Sequence, residues 1–326
     1  MKAFVTGATG FLGGALARKL RARGDDVVAL VRSPGKAGEL QRLGCQMVAG
    51  DLSDVDAIRE GVKGCDAAFH VAAYYAVGVP PSEREAMFEA NVHGTERVLD
   101  AATEAGAARI VYVSTINTFG NTRGQVVDET YQRPDPDGPF LSIYDETKYR
   151  AHQIAEDRIS KGAPVMIAAP GGIYGPGDPS VIAVVFDLIR RRMLPFKLFP
   201  DTGFNFVYVD DCAEGLLLIH DKGRLGESYV LGGEISTVGE TMFGTLFRIQ
   251  GRRPPRFTVP RWVLKASTPL GPMVGKLTGL PPNLNEGIRA IDSVTYWATD
   301  RKAREELGYA PRDLESGLRE TLAAAG

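Results

Sequence analysis

Tyr144 and Lys148 stand four residues apart in a stretch with helical character, and together their side chains can carry out proton chemistry. A spacing of four places two side chains on one face of a helix, one turn apart. A lysine cation beside a tyrosine favours the phenolate and lowers a phenol pKa that is ordinarily about 10. The pair therefore predicts a tyrosine that acts as an acid or base near neutral pH. Because such a spacing is common by chance, its meaning depends on the rest of the chain.

A glycine-rich turn near the N-terminus supplies that meaning. Gly7, Gly10 and Gly13 follow an apolar strand pattern and precede a helical one. Glycines at such a turn let the backbone approach a pyrophosphate, whose charge meets the N-terminus of the helix. The first gap is one residue longer than in the standard dinucleotide fingerprint. The residues of this turn that we assign to a dinucleotide cofactor are Gly7, Thr9, Gly10, Phe11, Leu12 and Gly13.

The elements that must position these motifs alternate along the first half of the chain. The apolar runs are short and continuous, which is typical of strands buried on both faces of a parallel sheet. Repeated strand–helix units predict an α/β fold, a doubly wound parallel (Rossmann) sheet with a smaller, interleaved substrate domain. Predicted strands cover residues 4–5, 27–31, 47–48, 67–71, 110–113 and 165–169, and predicted helices cover 12–23, 55–62, 84–105 and 144–161.

Beyond residue 174 the pattern changes, because glycine and proline become dense. Residues 206–211 and 228–233 still have strand character, so we expect them to return to the first lobe or its border. We therefore predict a dinucleotide-binding domain of residues 1–170 plus about 206–233. Residues 171–205 and 234–326 form the predicted substrate-binding domain.

Composition narrows the class of protein. The 326 residues include 38 Lys+Arg against 40 Asp+Glu, which excludes the basic excess of a nucleic-acid binder. The three cysteines are far apart, which suits a reducing cytoplasm and gives no zinc or disulfide pattern. No apolar run approaches the roughly 20 residues of a spanning helix. We expect a soluble cytoplasmic protein that acts on a small molecule, without a metal, nucleic-acid or membrane partner.

With these motifs, the chain resembles the extended short-chain dehydrogenase/reductase family (the NAD-dependent epimerase/dehydratase superfamily), and within it the dihydroflavonol-reductase-like branch. Further landmarks follow in the family's order over nearly the whole chain. They are Gly50-Asp51-Leu52, His70-Val71-Ala72-Ala73, Asn91-Val92-His93-Gly94-Thr95, Val113-Ser114-Thr115, Pro170-Gly171-Gly172-Ile173-Tyr174-Gly175 and Phe206-Val207-Tyr208-Val209-Asp210-Asp211.

The resemblance implies a role for each matching residue. Thr115 would hydrogen-bond the substrate oxygen, with Ser114 as the neighbouring candidate. Tyr144 would donate or take the proton, and Lys148 would hold the nicotinamide ribose. The further cofactor-binding residues that it implies are Asp51, Leu52, Ala72, Ala73, Asn91, Val113, Pro170 and Ile173. The family also implies a homodimer through a four-helix bundle built from residues 84–105 and 144–161.

The end of the second predicted strand bears on the choice of cofactor. An acid that selects NAD by binding the ribose 2′-hydroxyl is expected there, but the position holds Val31. Arg32 and Lys36 follow, and cations suit the 2′-phosphate of NADP. We therefore predict NADP(H), with NAD(H) as the alternative.

Three departures within the family bear on the chemistry. Ile116 and Asn117 follow Thr115 where dehydratases carry an Asp-Glu pair, and Phe204 stands where sugar-nucleotide epimerases carry an arginine for the substrate diphosphate. The second lobe is rich in large apolar side chains, which suit an apolar substrate. These are Phe196, Phe199, Phe204, Phe257, Trp262, Leu264, Met273 and Leu277.

The sequence thus predicts an NADPH-dependent oxidoreductase that reduces a ketone or aldehyde of a largely apolar small molecule through a Thr/Tyr/Lys relay. The first alternative is an NAD(P)-dependent nucleotide-sugar epimerase, in which Arg190, Arg253 or Arg289 would replace the missing arginine. The second is a non-catalytic, dinucleotide-sensing regulator. It is less favoured because such proteins typically lose the Tyr/Lys pair.

Overall fold

The computed structural model describes residues 1–266, 268–270 and 283–324. Its strands are β1 Lys2–Thr6, β2 Asp26–Val31, β3 Gln46–Ala49, β4 Ala67–His70, β5 Arg109–Val113, β6 Val165–Pro170, β7 Gly172–Tyr174, β8 Gly203–Tyr208, β9 Ser228–Leu231 and β10 Ile235–Thr237. Its α-helices are α1 Phe11–Ala22, α2 Gly38–Arg42, α3 Val55–Val62, α4 Arg84–Phe88, α5 Gly94–Glu104, α6 Ile143–Ser160, α7 Val181–Arg190, α8 Val209–Lys222, α9 Gly244–Ile249, α10 Arg261–Ala266, α11 Leu284–Ile291 and α12 Leu314–Ala324.

Seven strands form one parallel sheet in the order β3-β2-β1-β4-β5-β6-β9. The order reverses between β1 and β4, and at such a point the carboxyl ends of the strands open a crevice. The prediction of a doubly wound parallel sheet is confirmed. The motifs at the ends of β1, β2, β3, β4, β5 and β6 therefore lie together at the carboxyl end of this sheet.

Both faces of the sheet are buried, which explains the continuous apolar runs. Side chains alternate along each strand, so Val5 and Phe69 belong to the apolar cluster on one face and Phe4 and Ala68 to the cluster on the other. Helices α1 and α8 cover the first face, and α3, α5 and α6 cover the second. Burying each large apolar side chain contributes about 1.5–3 kcal/mol to the stability of the fold. This packing therefore stabilises the sheet that carries the crevice.

A second sheet has the order β10-β8-β7 and contains the strand predicted for residues 206–211. That prediction is wrong at its end, because β8 stops at Tyr208 and Val209–Lys222 is helix α8. Asp210 and Asp211 lie in the first turn of α8, where the positive end of the helix stabilises carboxylates. The strand predicted for residues 228–233 is β9, which joins the large sheet. The proposed domain boundaries remain a prediction.

The helix predicted for residues 84–105 is continuous but not regular. It consists of α4, a π-helical turn over Glu89–His93, and α5. Such π-turns frequently accompany functional sites, and this one carries Asn91. Within the described ranges, no helix combines the length and apolar character that crossing a bilayer requires.

Candidate functional site

The glycine turn at the end of β1 is shaped for close approach by a phosphate group. Gly7 has φ +76°, and a Cβ there would lie 2.7 Å from the backbone nitrogen of Ala72. A Cβ on Gly13 would lie 2.1 Å from the carbonyl oxygen of Gly7. Helix α1 starts after Gly10, and no described side chain caps its N-terminus. Free N–H groups at a helix N-terminus bind anions, so these residues fit the pyrophosphate of a dinucleotide.

Two cationic side chains follow β2 at the carboxyl end of the same sheet. Arg32 and Lys36 are exposed, and their side chains make no hydrogen bond or ion pair within the described part of the chain. Asp51 lies near Arg32, and its pKa is lowered by hydrogen bonds from Ser53 and, to a smaller extent, by the charge of Arg32. Val31, at the position of an NAD-selecting acid, is a buried core residue.

Helix α6 carries the tyrosine and the lysine. It begins where Ser142 Oγ accepts a hydrogen bond from the backbone nitrogen of Asp145 (3.1 Å), an N-cap that places Tyr144 in the first turn. The Tyr144 ring meets the ring of Tyr75 edge-on, with centroids 5.0 Å apart. The Tyr144 hydroxyl forms no hydrogen bond with the described residues, so it is free to meet a substrate. Lys148 donates from Nζ to Tyr112 Oη (3.1 Å) and to the carbonyl oxygen of Val113 (2.8 Å).

The expected effect of Lys148 on the Tyr144 pKa does not appear in this structure. Burial, followed by interactions with Tyr75 and Asp145, raises the pKa of Tyr144 well above its ordinary value. Burial also lowers the pKa of Lys148 to about 7, so a substantial fraction of this side chain is neutral amine near pH 7. The loss of water is the main cause at both groups, and Tyr144 is a protonated phenol that can act as an acid.

Thr115 and Ser114 point to different partners at the end of β5. Thr115 Oγ1 donates to Asn117 Oδ1 (3.3 Å) and accepts from the Asn117 backbone nitrogen (3.2 Å). Ser114 Oγ is hydrogen-bonded to His152 Nδ1 (2.8 Å). Asn117 Nδ2 in turn donates to Asp145 Oδ1 (2.9 Å), so Thr115 is connected to the helix of Tyr144. This arrangement favours Thr115 over Ser114 as the residue that binds a substrate oxygen.

Asp145 is a buried carboxylate beside Tyr144, and sequence reasoning assigned it no role. Besides Asn117, the Tyr296 hydroxyl donates to its Oδ2 (3.4 Å) and also to the carbonyl oxygen of Ala290 (3.1 Å). Burial raises the pKa of Asp145 to about 6, although the bonds from Asn117, Ser142 and Tyr296 oppose that shift. The native protein therefore retains a proton between about pH 4 and pH 6 that the unfolded chain releases.

Asp145→Asn should stabilise the protein at pH 8. Because the native pKa of Asp145 is raised, stability falls as the pH rises from about 4 to 6, and above pH 6 the ionised carboxylate costs about 3 kcal/mol. The positive end of α6 offsets up to about 1 kcal/mol of this cost. We expect the free energy of unfolding in urea to be about 2 kcal/mol higher for the variant than for the wild type at pH 8. Between pH 4 and 6 the free energy of unfolding of the variant should depend less on pH than that of the wild type.

Glu146→Gln is the matched control for Asp145→Asn, because Glu146 is the next carboxylate of the same helical turn. It pairs with Arg150 at the surface (2.8 Å), so its loss should leave stability unchanged or slightly lower. A lower stability of Asp145→Asn at pH 8 would show that the ionised carboxylate stabilises the fold.

Asn91 ties the segment after β4 to the helix of Tyr144. Its Oδ1 accepts from the backbone nitrogen of Tyr74 (2.6 Å), and its Nδ2 donates to Thr147 Oγ1 (3.0 Å). Thr147 lies between Tyr144 and Lys148 on α6, so these bonds fix the position of the pair. His70, the last residue of β4, is buried and hydrogen-bonded to the side chains of Thr6 (2.7 Å) and Thr95 (3.0 Å).

Most other predicted cofactor residues follow the carboxyl ends of strands in the large sheet. Ala72 packs against Gly7, and Leu52 packs against Gly94. Ile173 is the exception, because it lies on β7 in the small sheet. The residues of this set at the edge of the large sheet are Thr9, Phe11, Leu12, Asp51, Leu52, Ala72, Ala73, Val113 and Pro170. Their individual contacts with a cofactor remain a prediction.

Among the described residues, the apolar side chains predicted to line the substrate pocket do not belong to the apolar cluster of Tyr144. Phe204 stacks on Tyr296 with centroids 4.9 Å apart, whereas Phe257 and Trp262 are exposed. Phe196, Phe199 and Leu264 are partly buried, and Met273 and Leu277 lie outside the described residues. The apolar surroundings of Tyr144 come instead from Tyr74, Tyr75, Ala76, Val79, Met87, Phe88 and Ile143.

Sequence reasoning missed Tyr75, whose ring touches Tyr144. The available signal was its position directly after the His70-Val71-Ala72-Ala73 landmark, since loops at the carboxyl end of a parallel sheet carry binding residues. Tyr75 is 52% exposed although its ring contacts Tyr144, so it stands at the mouth of the site.

The chain is similar to a family model and to known proteins over most of its length. Residues 3–232 match the model of the NAD dependent epimerase/dehydratase family. The chain is 34% identical to a Synechocystis sp. protein named as a dihydroflavonol 4-reductase, over 98% of this chain and 93% of that protein. It is 32% identical to the 4-hydroxy-2-methyl-3-oxo-4-farnesyl-3,4-dihydroquinoline-1-oxide ketoreductase of Stigmatella aurantiaca, over 100% and 97%. The crystal structure of gox2253 has a TM-score of 0.83 and 34% identity, with 99% and 97% of the two chains covered.

Proposed function

The chain belongs to the NAD-dependent epimerase/dehydratase family, among the extended short-chain dehydrogenases/reductases, and on that premise we propose that it reduces the carbonyl group of a largely apolar ketone or aldehyde with NADPH. Its relatives include proteins named as reductases, so the protein is an NAD(P)-dependent oxidoreductase of the extended short-chain type. The observation that carries the proposal is a protonated Tyr144 hydroxyl that forms no hydrogen bond with any described residue and belongs to a cluster of apolar and aromatic side chains.

In the proposed carbonyl reduction, each residue around Tyr144 has a separate role. The nicotinamide cofactor, when bound, supplies a hydride. Thr115 Oγ1 binds the substrate oxygen, and the Tyr144 hydroxyl gives it a proton as negative charge develops. Lys148, one helical turn further on, accepts and returns protons because its pKa is close to neutrality. The Tyr75 ring packs edge-on against the Tyr144 ring beside these groups.

The charges near the site support an apolar carbonyl substrate over a nucleotide sugar. A diphosphate needs cations, but the charges that act on Tyr75 at the mouth of the site are those of Asp178 and Asp145. Arg190 is held by Asp187 (2.7 Å), and Arg289 donates to the carbonyl oxygen of Leu141 (2.8 Å). Arg190 and Arg289, two of the three candidates to replace the epimerase arginine that binds the substrate diphosphate, therefore already have partners within the protein.

NADP(H) is the proposed cofactor because of Arg32 and Lys36. A guanidinium group binds phosphate through two parallel N–H donors, and that of Arg32 makes no such bond within the described residues. The 2′-phosphate is the feature that distinguishes NADP from NAD, so a free arginine at the end of β2 gives the choice a physical basis.

Arg32→Ala should weaken NADPH binding and leave NADH binding unchanged. A hydrogen bond to a charged group is worth about 1.5–3 kcal/mol, so the NADPH Kd should rise by about 10- to 100-fold. Isothermal titration with each reduced cofactor measures both values. Arg42→Ala is the matched control, because Arg42 is exposed on α2 close by in sequence and should leave both Kd values unchanged. An equal loss of NADPH and NADH affinity in Arg32→Ala would contradict the assignment.

The proposed reaction is tested by titrating the protein with NADPH and NADH, alone and with UDP-glucose or UDP-galactose. Preference for NADPH without a response to either nucleotide sugar supports the reductase. Ketones and aldehydes are then screened by the loss of reduced-nicotinamide absorbance. Clear binding of a nucleotide sugar would make the epimerase the better answer.

We further propose a cytoplasmic homodimer that pairs α5 and α6 of two subunits. Within one subunit, Arg158 on α6 already joins the two helices through Asp100 (2.6 Å) and Glu96 (2.9 Å) on α5. The buried free thiols of Cys45, Cys65 and Cys212 suit a reducing compartment. Sedimentation of the purified protein gives the oligomeric state.

A further inference from the structure

Helix α11, in the predicted substrate-binding domain, holds the backbone directly before Tyr144. Glu286 Oε1 accepts a hydrogen bond from the backbone nitrogen of Ile143 (2.6 Å). Arg289 Nε donates to the carbonyl oxygen of Leu141 (2.8 Å). Glu286 and Arg289 are three residues apart, so they lie on the same side of α11. One helical turn of α11 therefore binds a donor and an acceptor of the chain that enters α6.

Glu286 is buried, with 3% of its surface exposed, and its partners explain why. A buried carboxyl group needs hydrogen-bond donors. Besides Ile143, the side chain of Asn283 donates from Nδ2 to Glu286 Oε2 (3.1 Å), and Arg84 lies 3.9 Å from the same oxygen. Ile143 is the first residue of α6, and the first N–H groups of a helix have no partner within it. Glu286 supplies the acceptor that this N–H group lacks.

The residue that precedes α11 also holds the loop after β4. The backbone nitrogen of Asn283 donates to the carbonyl oxygen of Gly78 (3.0 Å), and its Nδ2 donates to that of Val79 (3.5 Å). Val79 belongs to the apolar cluster of Tyr144. Asn283 Oδ1 accepts from the backbone nitrogen of Glu286 (3.3 Å). The start of α11 thus joins the loop after β4 to the start of α6.

The large sheet holds α6 at residues that follow Tyr144. Thr147 is bonded to Asn91 (3.0 Å), and Lys148 donates to the carbonyl oxygen of Val113 (2.8 Å). In the described part of the chain, the hydrogen bonds that the backbone of residues 141–143 makes outside α6 are those to α11. Tyr144 therefore lies between a part of α6 that the large sheet holds and a part that α11 holds.

We propose that Glu286 and Arg289 are positioning residues for Tyr144, and that α11 sets the place of the Tyr144 hydroxyl by holding the backbone before it. The inference rests on the proposed function, in which this hydroxyl protonates the substrate oxygen. The hydroxyl forms no hydrogen bond with the described residues, so its position depends on the backbone and the ring contacts of Tyr144. A displacement of about 1 Å at a reacting group can lower a rate by about 10²-fold.

Glu286→Met and Glu286→Gln test the bond to Ile143 at nearly constant side-chain size. Methionine removes the acceptor, whereas glutamine keeps an oxygen that can accept from the Ile143 nitrogen. With acetophenone as the ketone probe, Glu286→Met should lower kcat by about 10- to 100-fold without changing the NADPH Kd, and Glu286→Gln should recover most of the loss. A role in stability alone would lower the melting temperature and leave the kcat of the folded protein unchanged. Full kcat in folded Glu286→Met would overturn the proposal.

Arg289→Ala makes the same test at an exposed side chain, whose removal should not prevent folding. We expect its kcat to fall by about threefold or more while the NADPH Kd stays the same. Asn285→Ala is the matched control, because Asn285 is exposed on α11 between the two tested positions and its side chain makes no hydrogen bond with the described residues. A kcat for Arg289→Ala equal to that of Asn285→Ala would overturn the proposal, whether or not Glu286→Met folds.

The surroundings of Tyr144 can be compared without a substrate. In protein labelled with ¹³C in the tyrosine rings, the NMR signal of Tyr144 is identified by its absence in Tyr144→Phe. Glu286→Met should shift this signal, whereas Glu286→Gln and Asn285→Ala should leave it close to that of the wild type. A wild type that does not reduce acetophenone or any other ketone, while Glu286→Met still shifts the signal, contradicts the proposed function alone. An unchanged signal in folded Glu286→Met contradicts the positioning role.

Discussion

Tyr144→Phe should abolish carbonyl reduction and leave NADPH binding intact. The substitution removes the hydroxyl that gives the proton, and positioned general acids contribute about 10²–10⁴-fold to a rate. Phe retains the ring that packs edge-on against Tyr75 and belongs to the apolar cluster with Val79 and Met87, so the fold should not change. Loss of reduced-nicotinamide absorbance measures turnover, and isothermal titration measures NADPH affinity.

Tyr75→Phe is the matched control, because it removes a hydroxyl from the ring next to Tyr144 and keeps the edge contact. We expect its kcat to stay within about threefold of the wild type, because the ring that contacts Tyr144 is kept and the proposed reaction does not use the Tyr75 hydroxyl. Undiminished activity in Tyr144→Phe would exclude Tyr144 as the acid. A loss in Tyr75→Phe as large as in Tyr144→Phe would move the proton donor to Tyr75.

Gly13→Ala should remove most of the affinity for NADPH. Its Cβ would lie 2.1 Å from the carbonyl oxygen of Gly7 and 2.6 Å from the Gly7 carbonyl carbon. Both atoms are backbone, so the turn itself must open, and its free N–H groups would no longer converge on a phosphate. We expect the NADPH Kd to rise about 100-fold or more, and the free energy of unfolding to fall by about 1–3 kcal/mol.

The neighbouring Gly14→Ala provides the control, because its Cβ would meet Ala8 O at 3.5 Å and Arg18 Nη1 at 3.7 Å, which are ordinary contacts. Alanine inside a helix is favoured over glycine by roughly 0.5–1 kcal/mol, so this variant should be slightly more stable and bind NADPH normally. If Gly13→Ala binds NADPH as tightly as Gly14→Ala does, the cofactor does not sit on this turn.

The local sequence determined the large sheet and the glycine turn. Short continuous apolar runs are typical of strands buried on both faces, and the end-of-strand glycines tolerate backbone approaches that any side chain would block. The helical spacing of Tyr144 and Lys148 likewise follows from four residues in one turn. These features depend on neighbours within a few positions, so the order of residues was sufficient.

The tertiary structure alone decided the protonation of the site. A spacing of four predicted that Lys148 would lower the Tyr144 pKa, but the pKa depends on how much water the fold removes from each group. Burial raises the pKa of Tyr144 and lowers that of Lys148, whose protons go to Tyr112 and Val113. The burial of a side chain depends on all the segments that pack around it, and many of these are distant in sequence. The spacing of two residues along the chain therefore does not reveal it.

The sequence analysis also did not predict the contacts between residues that are distant along the chain. Asp145 meets Tyr296, 151 positions away, and Tyr75 meets Tyr144 from the loop after β4. The strand containing Phe204 and Phe206 joined the small sheet, and there Phe204 stacked on Tyr296 rather than lining a pocket around Tyr144. The sequence by itself thus determined the fold class, and it singled out Tyr144 and Lys148 as the candidate pair. Only the folded chain decided their charge and their surroundings, because both arise from packing across long sequence separations.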